Sequence, residues 1–364
     1  MTPSRITTAL CVIVLCGILA AGLTPFHVPR NAVSWLPDGN GLRFERFGSV
    51  TGAGSIPDGP GRNCSLEIWL QPLANKTSST ILAFYTPQTP QRFQLIQTDD
   101  DLLLTGNALG GSGGGANPGR IVWITIEQAF RLNQPILITM TSGARMSIYL
   151  NGTLAKTTDF RFLRSNFVGD LVLGTAAVYH EGWTGCLRGL ALYDEELRLE
   201  QVARHYRSWT DGKPAVDGAS HFYAFGERAG NVVHDAGNPA VNLDVPSRYT
   251  IPHRFFLEPP WVAFRNSWSY WKDVLVNIGG FIPFGFLFGV YFSSVKPVRR
   301  PVLTTILFAA LVTLFIESTQ AWLPTRDSSM TDVITNILGT VIGAALQSLK
   351  ALRSLYDWVL NLSL

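Results

Sequence analysis

Asp273-Val-Leu-Val-Asn277-Ile-Gly-Gly280 and Asp332-Val-Ile-Thr-Asn336-Ile-Leu-Gly339 repeat one pattern: an acid and an amide four residues apart, each opening a strongly apolar segment. At helical spacing the two polar groups share a face. Polar side chains are costly at that depth and usually carry function. Between the copies, Glu317 and Gln320 share a face at i, i+3, and Arg326 follows in a short connection. The available chemistry is that of carboxylate, amide and guanidinium. Arg326 can hold a phosphate or carboxylate bidentately. Asp273, Asp332 and Glu317 can orient such a headgroup, directly or through a cation, with Asn277, Gln320 and Asn336 lining the same pocket. Glu317 is also the candidate general base for a lipid-linked substrate, although no His, Cys or activated Ser accompanies it. Two plainer readings stand beside these. The aspartates can cap their helices, and the cluster can be an internal salt-bridge network that only packs helices.

Four apolar segments must position these groups, at residues 6–23, 274–292, 302–323 and 333–349. At about 1.5 Å per residue each reaches roughly across a ~30 Å hydrocarbon core. Lys296, Arg299 and Arg300 lie between the second and third segments, and Lys350 and Arg353 follow the fourth. Basic loops face the cytoplasm, so residues 24–272 and 324–332 are expected outside, with both termini inside. Every strongly polar group of the helices then meets at the outer level. A transporter would place such groups midway across the membrane. The first segment reads as an uncleaved anchor, with a cleaved signal peptide as the alternative; both versions export the middle of the chain.

Composition agrees with this layout. The 364 residues are 46% hydrophobic and only 15% charged, with the apolar excess at the two ends. That excludes an ordinary soluble protein. A net charge of +3 with no basic stripe excludes a nucleic-acid partner. Between 250 and 272 aromatic residues crowd around Pro259-Pro260, the pattern of an interfacial belt.

The exported region reads as short alternating strands, at 65–70, 81–85, 92–96, 121–126, 135–140, 146–150, 153–156, 171–174 and 185–193. Asn151-Gly152 is a hairpin signal, and such spacing indicates an all-β sandwich. No pair of converging carboxylates of the glycosidase kind is present. Cys64 and Cys186 lie where a disulfide is permitted. Paired, they would close a loop of more than 100 residues, worth ~4–5 kcal/mol in the chain-entropy model; unpaired thiols are the alternative. The glycine-rich 110–119 stretch lacks the Lys of a phosphate loop and reads as a connection.

Two resemblances follow. Glu67-Ile-Trp-Leu-Gln-Pro72, Ser147-Ile-Tyr-Leu-Asn-Gly-Thr153 and Gly185-Cys-Leu-Arg-Gly-Leu-Ala-Leu-Tyr-Asp194 resemble the laminin-G-like, concanavalin-A-like jelly roll. His221–Gly237, coming last, resembles an opening strand of the same family and is expected to complete the sandwich. Jelly rolls of this kind often bind glycans or calcium. Trp123, Tyr179 and Trp183 are the residues that could stack on sugar rings, and Asp99–Asp101 could take calcium or simply form a charged turn. Otherwise no cofactor and no other metal is expected.

In the helices, Asp273…Asn277…Phe281-x-Pro283-x-Gly285, then Glu317-x-x-Gln320-x-x-x-Pro324-x-Arg326 and Asp332-x-x-x-Asn336-x-x-Gly339-x-x-x-Gly343, resemble the VanZ-like family. That resemblance implies a bacterial cell-envelope role, possible contact with a glycan or lipid-linked precursor, and a link to teicoplanin-type resistance. It supplies no reaction. The expected architecture is multi-domain. An anchor (1–30) precedes an extracytoplasmic jelly roll (31–250), an aromatic linker (251–272), a helical VanZ-like membrane module (273–350) and a cytoplasmic amphipathic tail (351–364).

Overall fold

A computed structural model describes residues 3–25, 27–59, 61–75, 78–109, 121–178, 182–264, 266–350, 352, 354–356 and 358. The chain divides into two compact units, Pro29–His253 and the pair Met1–Val28 with Arg254–Leu364. Among the described residues the helices are α1 (Pro3–Leu23), α2 (Leu199–Thr210), α3 (Pro260–Ala263), α4 (Trp268–Val290), α5 (Pro301–Gln320) and α6 (Met330–Ser348). Four of them, α1, α4, α5 and α6, are long and apolar enough to cross a membrane.

The first unit is a sandwich of two antiparallel sheets. One runs Val33–Trp35, Leu42–Phe44, Gly185–Tyr193, Cys64–Pro72, Ile136–Ser142, Met146–Leu150, Thr153–Thr158, with Ala219–Tyr223 also paired to Gly185–Tyr193. The other runs Val232–Val233, Leu243–Asp244, Val50–Gly52, Asp170–Leu173, Ser79–Thr86, Thr89–Thr98, Asp101–Asn107, Ile121–Ile126. Alternation explains the core. Leu66, Ile68 and Leu70 face inward beside Ile138 and Met140, meeting Phe84, Phe93 and Leu104 of the opposite sheet. The Asn151–Gly152 hairpin forms with both residues at positive φ, 51° and 74°, as a tight two-residue turn requires. The 221–237 stretch does complete the sandwich. Ala219–Tyr223 extends one sheet, and Val232–Val233 edges the other.

Helix α2 packs Val202, His205 and Trp209 on the outer face of the first sheet, against Leu137, Ala191 and Tyr193. The central strands are therefore covered on both sides. Beneath α2, Glu67 accepts hydrogen bonds from Thr139 Oγ1 (3.1 Å) and Tyr193 Oη (2.8 Å), and its Oε2 lies 2.9 Å from His205 Nδ1. Burial, together with the adjacent Glu67 carboxylate, pushes the Tyr193 hydroxyl well above the usual phenol range.

The expected disulfide does not form: Cys64 and Cys186 are both free and buried. Register explains this. Cys186 pairs with Gln71, at the far end of the strand that Cys64 begins. Seven residues at ~3.3 Å each put the two roughly 23 Å apart, whereas a disulfide needs Cα atoms within ~7 Å. Burial holds the Cys64 thiol up at about 12, so it is inert as a nucleophile. A reducing agent should leave the melting temperature of the sandwich unchanged in a fluorescence melt; a drop of several degrees would mean that a disulfide exists after all.

In the helical unit, α4 and α6 run parallel and in contact. Gly339 abuts the Ile278 backbone and Gly343 the Ile282 backbone, four residues on in both helices. The two copies of the repeat therefore lie side by side in register. α1 ends beside the end of α5, where Gly22 meets Ile316. The caps are serines, not the aspartates: Ser267 accepts from Tyr270 N and Ser329 from Thr331 N. Asp332 falls in the first turn of α6, and Asp273 lies a turn inside α4, which frees both carboxylates from the capping role.

Candidate functional site

The end of α5 turns Glu317 and Gln320 inward. Glu317 is 2% exposed, and its Oε2 accepts from Ser329 N at 2.8 Å. Ser329 is the N-cap of α6, so the carboxylate sits at a helix N-terminus, where free N–H groups and the dipole favour it. The Ser328 hydroxyl lies close to Glu317 and accepts from Leu257 N at 3.2 Å. On α6, the Asp332 carboxylate lies near Asn277 of α4 and within electrostatic reach of Asp273 and Glu317. One turn deeper, Asn336 donates from Nδ2 to Thr313 Oγ1 at 2.8 Å, while its buried Oδ1 has no partner.

Of the seven polar residues singled out from sequence, Asp273, Asn277, Glu317 and Asp332 are thus brought together, with Asn336 one turn deeper on α6. The other two face the end of α1. Gln320 Nε2 donates to the Gly22 carbonyl at 2.7 Å, and Arg326 Nη2 donates to the Thr24 carbonyl. Arg326 Nε stays buried and unpartnered. Asn277, on the other side of the cluster, lies near Asp332.

Several residues of this corner have no signature in the sequence. Thr313, Ser328 and Ser329 are common helix and turn residues whose roles depend on which helix they meet. Glu258, 5% exposed, sits in a segment that pairs with the α5–α6 connection. Glu258 N donates to Ser328 O (2.8 Å), and Met330 N to Glu258 O (3.0 Å). Arg254 Nη1 reaches Trp322 O at 2.6 Å. The only advance signal was a single acid ahead of Pro259-Pro260 in an aromatic stretch.

On the sandwich, the candidate aromatics separate. Trp183 is fully buried, packed near Phe44 with centroids 6.2 Å apart, and its Nε1 donates to Gln97 Oε1 at 2.8 Å. It belongs to the core, where no sugar ring reaches it. Trp123 is 65% exposed on the edge strand Ile121–Ile126. Its row across the sheet is Trp123, Thr105, Gln94, Ala83, Val172. Tyr179 and the 110–119 stretch lie outside the described residues. Asp99–Asp101 turn a hairpin in which Asp101 Oδ1 accepts from Gln128 N at 2.8 Å. Among the described residues no three His, Cys, Asp or Glu side chains are grouped to hold a metal.

Residues 222–351 match the VanZ/LLP1 family, and residues 48–203 match the Concanavalin A-like lectin/glucanases superfamily. The helical module is VanZ-like, and the sandwich is laminin-G-like. The VanZ-like match begins inside the strand Ala219–Tyr223, ahead of the helical unit's own start at Arg254. With its four apolar helices, this is a membrane protein. Among solved structures, similarity extends to a putative carbohydrate binding protein from Bacteroides ovatus (12% identity, TM-score 0.37, 60% of this chain and 58% of that one). It extends also to a heptameric SAP-like pentraxin from Limulus polyphemus (15%, 0.36, 61% and 95%). A third is the receptor binding domain of botulinum neurotoxin C/D mosaic serotype (12%, 0.39, 57% and 55%). The chain spans less than two thirds of the first and third of these. No curated protein matches it.

Proposed function

We propose that this is a bacterial cell-envelope protein whose VanZ-like module fixes a glycan-recognising sandwich to the outer face of the cytoplasmic membrane. The polar corner of α4, α5 and α6 forms a ligand pocket at that same face. The observation that carries the glycan reading is Trp123. A ring 65% exposed, beside Ile121 at 45%, pays the full hydrophobic penalty of contact with water unless something covers it. It stands at the end of a row whose next members, Thr105 and Gln94, are buried, so the open part of this face is the indole with Ile121 beside it. An exposed indole, apolar on its face and carrying an N–H at its edge, suits a sugar, which offers C–H faces and hydroxyl edges. Lys296, Arg299 and Arg300 in the α4–α5 connection support the outward direction, since basic loops favour the cytoplasmic side.

The isolated Pro29–His253 unit has its own closed core and can be assayed alone. On a glycan array it should retain a polysaccharide or envelope-precursor ligand, and Trp123→Ala should weaken retention by about tenfold or more, a loss of ~1.4 kcal/mol. Undiminished binding by the variant would remove the glycan reading of this face. Under the same proposal, deleting the gene changes susceptibility to teicoplanin-type glycopeptides if the ligand is their target or its precursor. The packing-only reading of the corner is disfavoured because its carboxylates lack the cations that a salt-bridge network needs. Glu317 is held by the α6 N-terminus, which favours positioning over proton transfer.

A further inference from the structure

Glu317, Asp332 and Asp273 form a chain of mutual repulsion, Glu317 to Asp332 and Asp332 to Asp273. Among the described residues none of the three makes an ion pair. Lys272, the residue before Asp273, is exposed and makes no ion pair among the described residues, and Arg326 donates to the Thr24 carbonyl. Acids alone would not make a site. The second observation is Asn336. It is 5% exposed, and its Oδ1 has no donor, a condition that buried amides rarely tolerate. Its Nδ2 is spent on Thr313, one turn below Glu317 on α5. The planar amide therefore turns Oδ1 away from α5, at the level where the parallel repeat sets Asn277. Thr331 Oγ1, 8% exposed in the first turn of α6, is also without a partner.

The buried groups left open on α6 are an acceptor, Asn336 Oδ1, and a hydroxyl, Thr331 Oγ1, while the unpartnered Arg326 Nε belongs to a side chain that faces the end of α1. What completes them is a positively charged donor of several hydrogen bonds. A metal ion would need three tightly grouped ligands, and among the described residues no such group exists. A primary ammonium carries three directional N–H donors on one compact charge, and it can serve acceptors set further apart. We propose that Glu317, Asp332 and Asn336, with Asp273 and Thr331 alongside, bind a primary ammonium group. Its source is either an aminophospholipid headgroup or a small soluble amine. The inference rests on the reading of this corner as a ligand pocket.

The test uses the full-length protein in detergent, titrated with ethylammonium, tetramethylammonium or sodium chloride at equal ionic strength and followed by intrinsic fluorescence melts. Ethylammonium should raise the melting temperature saturably, and the other two salts should not. Glu317→Gln with Asp332→Asn should weaken ethylammonium about 30-fold or more, the usual scale for removing the partner of a bonded charge. If that pair does not fold, Asn336→Asp answers instead: it adds a charge at the open acceptor and should tighten binding. An equal response to sodium, no response to ethylammonium, or unchanged or weaker binding in Asn336→Asp overturns the proposal. Native mass spectrometry from nanodiscs of phosphatidylethanolamine and phosphatidylcholine then identifies the source. Preferential retention of the former, lost in the double variant, assigns the lipid; equal retention assigns the soluble amine. Binding in detergent is independent of which side the α5–α6 connection faces. A failure here therefore leaves the outward topology and glycan binding intact, while cysteine labelling that places residues 327 and 299 on one side would remove the pocket's outer location alone.

Discussion

Replacing Glu67 with alanine should lower the unfolding free energy of the Pro29–His253 unit by about 3–5 kcal/mol, the range for stripping one partner from a buried charge network. Glu67 lies on the strand Cys64–Pro72, on the face covered by α2, and it is 0% exposed, as are Tyr193 and His205. One carboxylate takes hydrogen bonds from Thr139 and Tyr193 and meets His205 Nδ1. Alanine removes the shared acceptor and strands these groups where water does not reach, and each orphan carries its own desolvation penalty. The phenol cannot relieve the strain by ionising, because burial already pushes its hydroxyl far up. α2 is held to the sheet through His205, so the loss should appear first as detachment of that helix. Glu67→Gln keeps the shape and one acceptor oxygen and should cost clearly less. The control is Glu45→Ala. Its pair with Arg43 is 60% and 51% exposed, so a change within ~0.5 kcal/mol is expected. Urea unfolding of the three variants measures the difference; a Glu67→Ala loss below that of Glu45→Ala would mean that the network contributes nothing to stability.

Much of the fold could be read from residue order because it rests on local signals. Period-two alternation in Cys64–Pro72 and Ile136–Ser142, and the Asn151–Gly152 turn, each specify their own geometry. The three short strands Val33–Trp35, Leu42–Phe44 and Val50–Gly52 were not legible. Each is three residues long; Leu42–Phe44 and Val50–Gly52 owe their conformation to partners more than 100 residues away, Gly185–Leu187 and Val172–Leu173, and Val33–Trp35 in turn pairs with Leu42–Phe44. The disulfide expectation failed for the same reason: compartment permits the bond, but only register decides distance. Trp183 and Trp123 look alike in sequence; Trp183 leads into the interior strand Gly185–Tyr193 and packs in the core, whereas Trp123 lies on the edge strand Ile121–Ile126. In the helices, spacing was enough to bring Asp273, Asn277, Asp332 and Asn336 to one corner, since a parallel pair of equal repeats must align them. Spacing could not say that Arg326 and Gln320 turn to α1. That depends on where a helix some 300 residues earlier ends, and no periodicity encodes it.

Gly343→Ala should separate α4 from α6 and leave little monodisperse full-length protein in detergent. A Cβ at Gly343 would overlap the Ile282 carbonyl oxygen and stand 2.7 Å from Phe286 N and 3.0 Å from the Gly285 Cα. A Cβ at Gly339 would overlap the Ile278 carbonyl, and one at Gly285 the Thr340 carbonyl. All of these are backbone atoms, which no rotamer change can move aside. Overpacking of this kind costs about 1–3 kcal/mol per site, sometimes more. Between helices in lipid, where close backbone approach is the main attraction, the loss falls on association itself. The polar corner should go with it, because Asn277 reaches Asp332 only while the two helices touch. The repeat supplies its own control. Gly280 occupies in the first copy the position that Gly339 holds in the second, yet around Gly280, as around Gly279, a Cβ would meet nothing within 4 Å. Gly280→Ala should therefore be neutral or stabilising by about 0.5–1 kcal/mol through helix propensity. The two copies share a sequence but not a neighbour, so only one of the paired glycines is obligatory. Size-exclusion profiles and melting temperatures of Gly280→Ala, Gly339→Ala and Gly343→Ala measure this asymmetry. Equal behaviour of all three would mean that the repeats do not pack backbone to backbone, and the alignment of their acids and amides would lose its cause.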